Sequence, residues 1–190
     1  LKAARAVCDY WIEDTPVDGI PYWDNGAPEL HKLGDWRARA ADPFNDHEPV
    51  DSSAAAIACQ GLIRLGKYLE TSGVGRGASG EKPANSLQPS ASRLPTNGER
   101  PAEDYFNAGL TILAGLLEEP YLSKDARHQG LLLHTVYHWP NGWDHVPAGA
   151  KVPRGEACQW GDYHLREAAL YVQRHAQNKP YLTFFGSEAK

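Results

Sequence analysis

The sequence predicts an all-α fold, because its clearest apolar patterns all repeat with the spacing of a helix. Apolar residues recur every three or four positions in four stretches, at residues 1–14, 51–69, 101–120 and 156–172. Between these stretches the chain carries glycine, proline and mixed polar residues, which favour turns and loops. Residues 131–136 are expected to be extended, either as a strand or as an irregular segment. Helices therefore form the framework, and the loops between them are the natural carriers of function.

The stretch at residues 51–69 is predicted to be a buried central helix. Its apolar stripe consists of Ala54, Ala58, Leu62, Leu65 and Leu69. The other faces carry small residues, which allow another helix or a ligand to approach closely. Asp51, Ser52 and Ser53 precede the pattern, and one of them is expected to cap the helix through a side-chain oxygen. Asp51 also has an alternative interpretation, in which its carboxylate faces a pocket from the helix start.

The same periodicity predicts the other three helices. The first ends near Asp14, because the following Thr15-Pro16 pair disfavours helical backbone. The last begins at Gly161 and Asp162, and Asp162 is expected to act as a plain cap. The faces expected to be buried are Ala3, Ala6, Val7 and Tyr10 in the first helix, Tyr105, Gly109, Ile112 and Leu116 in the third, and Leu165, Ala168, Ala169 and Val172 in the last.

Composition and charge argue against several classes of function. The net charge is −5, from 19 basic and 24 acidic residues scattered along the chain, so there is no basic stripe for nucleic acid. The longest apolar runs are only a few residues, against about 20 needed to span a bilayer. Three widely spaced cysteines without a Cys-x-x-Cys pair predict buried free thiols rather than a disulfide framework.

No metal or organic cofactor is predicted. His134 and His138 have helical spacing, but no glutamate lies between them in the zinc-protease pattern, and Pro140 follows at once.

Residues 72–100 are predicted to form a flexible insertion. The segment is rich in glycine, proline, serine and charged residues and has almost no large apolar ones. Such a composition buries too little apolar surface to offset the entropy lost on ordering.

Aromatic residues are concentrated in two loops. The chain has six Trp and nine Tyr against four Phe, a set weighted towards rings with a polar group, which stack on sugars and line polar clefts. Tyr22, Trp23 and Asp24 lie side by side in the loop at residues 17–28, which either covers the end of the core or binds a ligand. Residues 134–145 hold three His, two Trp, one Tyr and one Asp, more than packing requires.

Three motifs are distinctive in combination. They are DGIPYWD at residues 18–24, DSSAAA at 51–56 and WGDYH at 160–164, supported by LLLH at 131–134 and YHWPNG at 137–142. In this order and spacing they resemble the C-terminal half of the unsaturated glucuronyl hydrolases, glycoside hydrolase family 88. The resemblance covers essentially the whole chain outside residues 72–100.

The resemblance implies a partial (α/α)6 barrel, in which alternate helices form an inner and an outer ring around a sugar-binding cleft. It also implies release of a 4,5-unsaturated uronic acid from the non-reducing end of oligosaccharides made by polysaccharide lyases. In that family the vinyl ether double bond is hydrated, with an aspartate transferring protons as acid and base. The implied partner is an unsaturated uronic-acid oligosaccharide, and no metal or cofactor is implied.

The two working aspartates of the family match no position of this sequence. They stand in motifs of the family's N-terminal half, one after a histidine and one before a Met-Met-Asn-Leu stretch, and neither motif is present. Residues 1–190 are therefore expected to be the C-terminal half of one barrel domain, inactive alone and partnered by the missing N-terminal half. No residue of this chain is therefore predicted to be catalytic; Asp51 is a weak candidate, and activity of the chain alone would point to Asp51 or Asp24.

Binding is what this chain is expected to contribute. By the resemblance, the loop at residues 137–156 closes over the substrate. The substrate-binding candidates are Trp143 for ring stacking, His145, Lys151 and Arg154 for the uronate carboxylate, and Trp160, Tyr163 and Trp23 near the cleft. Two alternatives remain open, a rhamnogalacturonyl hydrolase on the same barrel and a non-catalytic helical scaffold or binding module. The lack of a repeat at fixed period argues against the scaffold.

Overall fold

The computed structural model describes residues 1–72, 99–180 and 182, and it confirms the all-α prediction for them. Four α-helices span Lys2–Asp14 (α1), Ser52–Ser72 (α2), Ala102–Leu116 (α3) and Gln159–Ala176 (α4), and short 3-10 turns span Leu30–Leu33, Trp36–Ala38 and Trp139–Asn141. Within these ranges the extended backbone pairs only as isolated bridges, Tyr22 with Val50 and Leu122 with Leu132. Residues 131–136 are thus an irregular extended segment. The predicted insertion lies almost wholly outside the described residues.

Helices α2 and α4 lie side by side and run in the same direction. Contacts between them advance together along both helices, from Ser53 with Trp160, through Gln60 with His164, to Arg64 with Glu167. Helix α3 runs antiparallel to α2, since Gly66 lies against Phe106 whereas Cys59, earlier in α2, lies against Gly109. A parallel pair with an antiparallel helix packed behind it is the alternation that the predicted barrel requires.

Glycine makes the contact between α2 and α3 very close. A Cβ atom at Gly109 would lie 2.5 Å from Cγ1 of Ile63 and 3.1 Å from the carbonyl oxygen of Cys59, and one at Gly66 would lie 2.8 Å from the backbone of α3. The thiol of Cys59 donates to the carbonyl of Gly109 at 3.2 Å. Cys59 and Gly66 of α2 therefore serve helix packing, one of the two roles that the sequence left open, whereas Gly61 meets no neighbouring atom.

The predicted stripe on α2 is too narrow. Leu62, Leu65 and Leu69 are buried as expected, but Ala54 and Ala58 are only partly buried. The buried surface instead extends over a second side of the helix, at Ala55, Ala56, Cys59 and Ile63. This happens because α2 is in contact with α1, α3 and α4 rather than with a single neighbour.

Helix α1 ends at Asp14 as predicted, but its predicted buried face is wrong. Val7 is 66% and Tyr10 is 56% exposed, and Ala3 and Ala6 are exposed as well. The helix is rotated by polar contacts, which apolar periodicity does not detect. Buried Arg5 donates to the carbonyl of Arg100 at 3.1 Å, and Asp9 accepts from the Arg100 guanidinium and from the hydroxyl of Tyr105.

The third and fourth helices follow the prediction more closely. All four residues predicted on the inner face of α3 are buried. Helix α4 begins at Gln159, earlier than expected, and its cap is Cys158, whose sulfur accepts the N–H of Gly161 at 3.4 Å. Leu165 and Ala168 are buried, whereas Ala169 and Val172 are partly buried. None of the helices in the described ranges is long and apolar enough to cross a membrane.

We expect Gly109→Ala to destabilise the chain by about 1–3 kcal/mol, the usual cost of inserting a carbon into a packed core. The added methyl group would overlap Ile63 and press on the α2 backbone. Denaturant unfolding followed by circular dichroism measures the effect. Gly61→Ala is the matched control, since a Cβ there meets no atom within 4 Å and should stabilise the helix by about 0.5–1 kcal/mol. Equal behaviour of the two variants would contradict the close contact.

Candidate functional site

Asp51 caps the N-terminus of α2. Its Oδ1 atom accepts the backbone N–H groups of Ser53 at 3.0 Å and Ala54 at 3.3 Å, which is the bonding pattern of a helix cap. The same oxygen accepts the hydroxyl of Ser53 at 2.6 Å and the N–H of Val136 at 3.5 Å. Asp51 therefore also ties the extended segment at 131–136 to the start of α2. Burial raises the pKa of this carboxyl above its ordinary value.

A short hydrogen-bonded chain connects the starts of α2 and α4. The indole Nε1–H of Trp160 donates to Oγ of Ser53 at 3.1 Å, and the Ser53 hydroxyl donates in turn to Asp51. Gly161 permits this approach, because a Cβ there would lie 3.1 Å from Cβ of Ser53. The Trp160 ring is thus held in one orientation while part of its surface stays open to solvent.

Three aromatic rings meet beside this chain and form the aromatic cluster, defined by Tyr137, Trp143 and Trp160. The Tyr137 ring lies 5.7 Å from Trp143 in a stacked arrangement and 5.5 Å from Trp160 in a tilted one. All three rings are exposed, Trp143 by 62%. Asp144 shapes the loop by accepting the backbone N–H groups of Tyr137 and His138. The structure thus brings together Trp143 and Trp160, two of the residues proposed from the sequence to bind substrate.

The other proposed binding residues lie apart from the ring contacts. Lys151 pairs with Asp46 at 3.4 Å, and Arg154 donates to the carbonyl of Phe44 at 3.1 Å, so both contact the segment at 42–46. The indole N–H of Trp23 donates to the buried Glu48 at 2.7 Å and holds the loop at residues 17–28 in place.

Two more of these residues, His145 and Tyr163, are exposed. Tyr163 lies one position before His164, and their rings meet edge to face at 5.1 Å. Tyr163 is on α4, and His145 is in the loop that precedes it.

Asp162 does not cap α4, contrary to the prediction. It lies inside the first turn, and its carboxylate accepts the N–H groups of Leu131 and Leu132 at 2.8–3.0 Å. Asp24 has a local role, accepting the N–H of Gly26 at 2.6 Å within its own turn. Sequence reasoning missed Ser53 and Tyr137 as site residues. The YHWPNG motif contained the signal for Tyr137, and nothing local distinguishes the Ser53 contact with Trp160.

His134 is buried and holds a structural position. Its Nδ1 accepts the N–H of Gly155 at 3.3 Å, and its ring packs on Phe44 and Tyr121. Burial, with a smaller contribution from Arg154, lowers its pKa to about 4, so the ring is neutral at physiological pH. In the described part of the chain, no three His, Cys, Asp or Glu side chains are grouped as metal ligands.

A groove of about 560 Å³ lies between the C-terminal halves of α2 and α4. It is lined by Arg64, Lys67, Tyr68, Thr71, Glu167, Leu170, Tyr171, Arg174, His175, Lys179 and Leu182. None of the aromatic cluster residues belongs to this lining. The groove and the cluster are therefore separate features of the same helix pair.

The chain is similar in sequence to a curated enzyme. The unsaturated glucuronyl hydrolase of Bacillus sp. strain GL1 is 22% identical over 174 residues, which are 92% of this chain and 33% of the relative. The predicted resemblance to unsaturated glucuronyl hydrolases is confirmed. No protein-family model matches the chain. The chain spans about one third of the relative's length, whereas the resemblance predicted about half.

Solved structures show the same likeness in the fold. The crystal structure of the Bacillus sp. GL1 enzyme, described as responsible for the degradation of glycosaminoglycan, matches with a TM-score of 0.54 and 20% identity over 92% of this chain and 33% of that chain. A mutant of the Streptococcus agalactiae enzyme matches with a TM-score of 0.51 and 24% identity over 93% and 32%. The fold is part of an all-α (α/α)6 barrel.

Replacing Asp51 by Asn should change how stability depends on pH. Because burial raises the pKa of the Asp51 carboxyl, the folded chain binds the carboxyl proton more tightly than the unfolded chain does. In the unfolded chain an Asp has a pKa of about 3.9. Its stabilising contribution is present below that pH and is lost as pH rises through the higher folded pKa. The Asn oxygen still accepts the capping bonds. We therefore expect the variant to gain stability relative to the natural chain as pH rises from about 3 to 7.

Denaturant midpoints across this pH range measure that difference. Asp24→Asn, at an exposed carboxylate that also accepts a local backbone bond, is the matched control. Parallel pH profiles for the natural chain and the Asp51 variant would contradict the effect of burial.

Proposed function

We propose that this chain is the substrate-binding wall of a glycoside hydrolase that releases 4,5-unsaturated uronic acid from oligosaccharides. The observation that carries the proposal is the aromatic cluster at the start of two parallel helices. Its rings Tyr137, Trp143 and Trp160 are exposed and yet held in fixed relation to one another. Exposed aromatic rings with polar edges stack on the apolar faces of sugars. The sequence similarity to unsaturated glucuronyl hydrolases supports the substrate class.

The fixed orientation of Trp160 favours binding. Its indole N–H is already satisfied by Ser53, so the ring is positioned before a ligand arrives. The backbone N–H groups of Tyr137 and His138 donate to Asp144, which fixes the backbone that carries the Tyr137 ring. A surface that is ordered in advance loses less conformational entropy on association.

The carboxylate of the sugar would be bound by basic residues of the loop that precedes α4. We propose His145, Lys151 and Arg154 for this role, as the sequence predicted. The Lys151–Asp46 pair is exposed, and exposed ion pairs of this kind contribute only about 0–1 kcal/mol. Arg154 uses one nitrogen on Phe44, and a guanidinium has further donors. Both cations can therefore exchange these contacts for a ligand.

Proton transfer is assigned to residues outside this chain. Asp51 acts as a helix cap, with Oδ1 accepting four donors from the protein. We expect the 190-residue chain to bind an unsaturated glucuronyl disaccharide without consuming its double bond. Tryptophan fluorescence follows binding, and ultraviolet absorbance of the conjugated double bond follows hydrolysis. Loss of that absorbance with this chain, abolished in Asp51→Asn, would make Asp51 catalytic and overturn the assignment.

Removal of a ring from the cluster should weaken binding. We expect Trp143→Ala to lower the affinity for the disaccharide roughly 3–10-fold, since an aromatic contact contributes about 0.5–1.5 kcal/mol. Fluorescence titration of the remaining tryptophans, or calorimetry, measures the change. Tyr10→Ala removes an equally exposed ring on α1 and is the control. If both variants bind as tightly as the natural chain, the cluster is not the sugar site.

A further inference from the structure

Three polar contacts follow one another along the parallel pair α2 and α4. The first joins Ser53 to Trp160, the second joins Gln60 to His164, and the third joins Arg64 to Glu167. Trp160 and His164 are four residues apart on α4, so both side chains lie on the same face of the helix. The Gln60–His164 pair is therefore the next contact below the aromatic cluster. His164 ends the WGDYH motif, whereas Gln60 lies outside every motif that predicted the site.

The carboxylate of Glu167 sets the orientation of the Gln60 amide. Its Oε2 accepts from the guanidinium of Arg64 at 3.2 Å and lies 3.5 Å from Nε2 of Gln60. An ionised carboxylate only accepts hydrogen bonds, so the amide group of Gln60 must turn its NH₂ towards Glu167. The carbonyl oxygen of the amide then points the other way. Gln60 is buried and in contact with both neighbours, which restricts it to this orientation.

The orientation of Gln60 in turn places the proton of His164. Its Nδ1 lies 2.9 Å from Oε1 of Gln60, and an amide oxygen can only accept, so Nδ1 carries the hydrogen. In the neutral ring Nε2 is then the bare nitrogen, a hydrogen-bond acceptor. None of the described residues forms a hydrogen bond with Nε2 of His164. This nitrogen is also not buried, so it is accessible to solvent. The Tyr163 ring limits movement of the imidazole from one side.

We propose that His164 is a ligand-binding residue, whose Nε2 accepts a hydrogen bond from a sugar hydroxyl, and that Gln60 is the positioning residue that keeps its proton on Nδ1. The inference rests on the proposed function. A bare Nε2 attracts a hydroxyl donor and repels a carboxylate, which also only accepts. His164 therefore selects the hydroxyl-bearing edge of the sugar. The uronate group is left to the basic residues of the proposed function, His145, Lys151 and Arg154.

The tautomer is tested directly in the natural 190-residue chain by nitrogen-15 NMR of the histidine side chains. We expect the His164 signals of a ring protonated at Nδ1 and bare at Nε2, and an upfield shift of the Nε2 resonance when the unsaturated disaccharide is added. Gln60→Leu removes the acceptor and should return the ring to a mixture of tautomers. A ring protonated at Nε2, or an Nε2 chemical shift that does not change at saturating disaccharide, would overturn the proposal.

Affinity provides the second measurement. We expect His164→Ala to weaken disaccharide binding about 3–10-fold, the range of one hydrogen bond, and Gln60→Leu to weaken it less. The double variant should bind like His164→Ala alone, because Gln60 acts only through the imidazole. His175→Ala, at an exposed histidine later in α4, is the matched control. Additive losses from the two single changes would show that Gln60 does not act through His164.

The outcomes separate the two proposals. If the natural chain binds the disaccharide and Trp143→Ala weakens binding while His164→Ala does not, only the role of His164 is wrong. If the natural chain does not bind the disaccharide, both proposals fail.

Discussion

The contact between α2 and α3 leaves no room for side chains at its centre, where Gly109 lies against Ile63 and the α2 backbone. With this face closed by apolar packing, α2 cannot rotate, and the adjacent face that carries Ser53, Gln60 and Arg64 meets α4. Three separate polar contacts join the two helices there, one from each of these residues. The direction and register of α4 follow from them. The position of the aromatic cluster depends on that register, since Trp160 belongs to the first turn of α4.

Carboxylates organise the loops around this helical frame. Buried Glu48 accepts the indole N–H of Trp23 and the backbone N–H of Glu29, and Asp18 accepts N–H groups from Ile20 and Ala41. Asp51 and Asp162 accept backbone N–H groups from the extended segment between α3 and α4. Each carboxylate satisfies backbone donors that have no helix or sheet partner. At these four positions the acidic side chain therefore has a structural role.

Most of the helical frame could be predicted from the sequence, and the reasons for the failures are physical. Helix α3 buries the predicted residues because it packs mainly through one apolar face. The predicted face of α1 was wrong because buried Arg100 pairs with the partly buried Asp9, and an ion pair of this kind leaves no apolar periodicity. The predicted start of α4 was late because the cap is the sulfur of Cys158, whereas the usual capping residues are Ser, Thr, Asp and Asn. Trp143 and Trp160 were predicted near the cleft by resemblance, whereas Gln60 and His164 are 104 residues apart and only the fold brings them together.

The loop that carries Tyr137 and Trp143 is closed upon itself. Asp144 accepts the two backbone N–H groups at 137 and 138, so the two ends of this short stretch are bonded to each other. Its backbone shape is consequently set by local bonds, and the Tyr137 ring is its contact with Trp160 of α4. Substitutions of these rings, or changes of loop length outside the Asp144 hydrogen bonds, would leave the packing of α2 against α3 unchanged. Recognition in such a protein can diversify while its architecture stays the same.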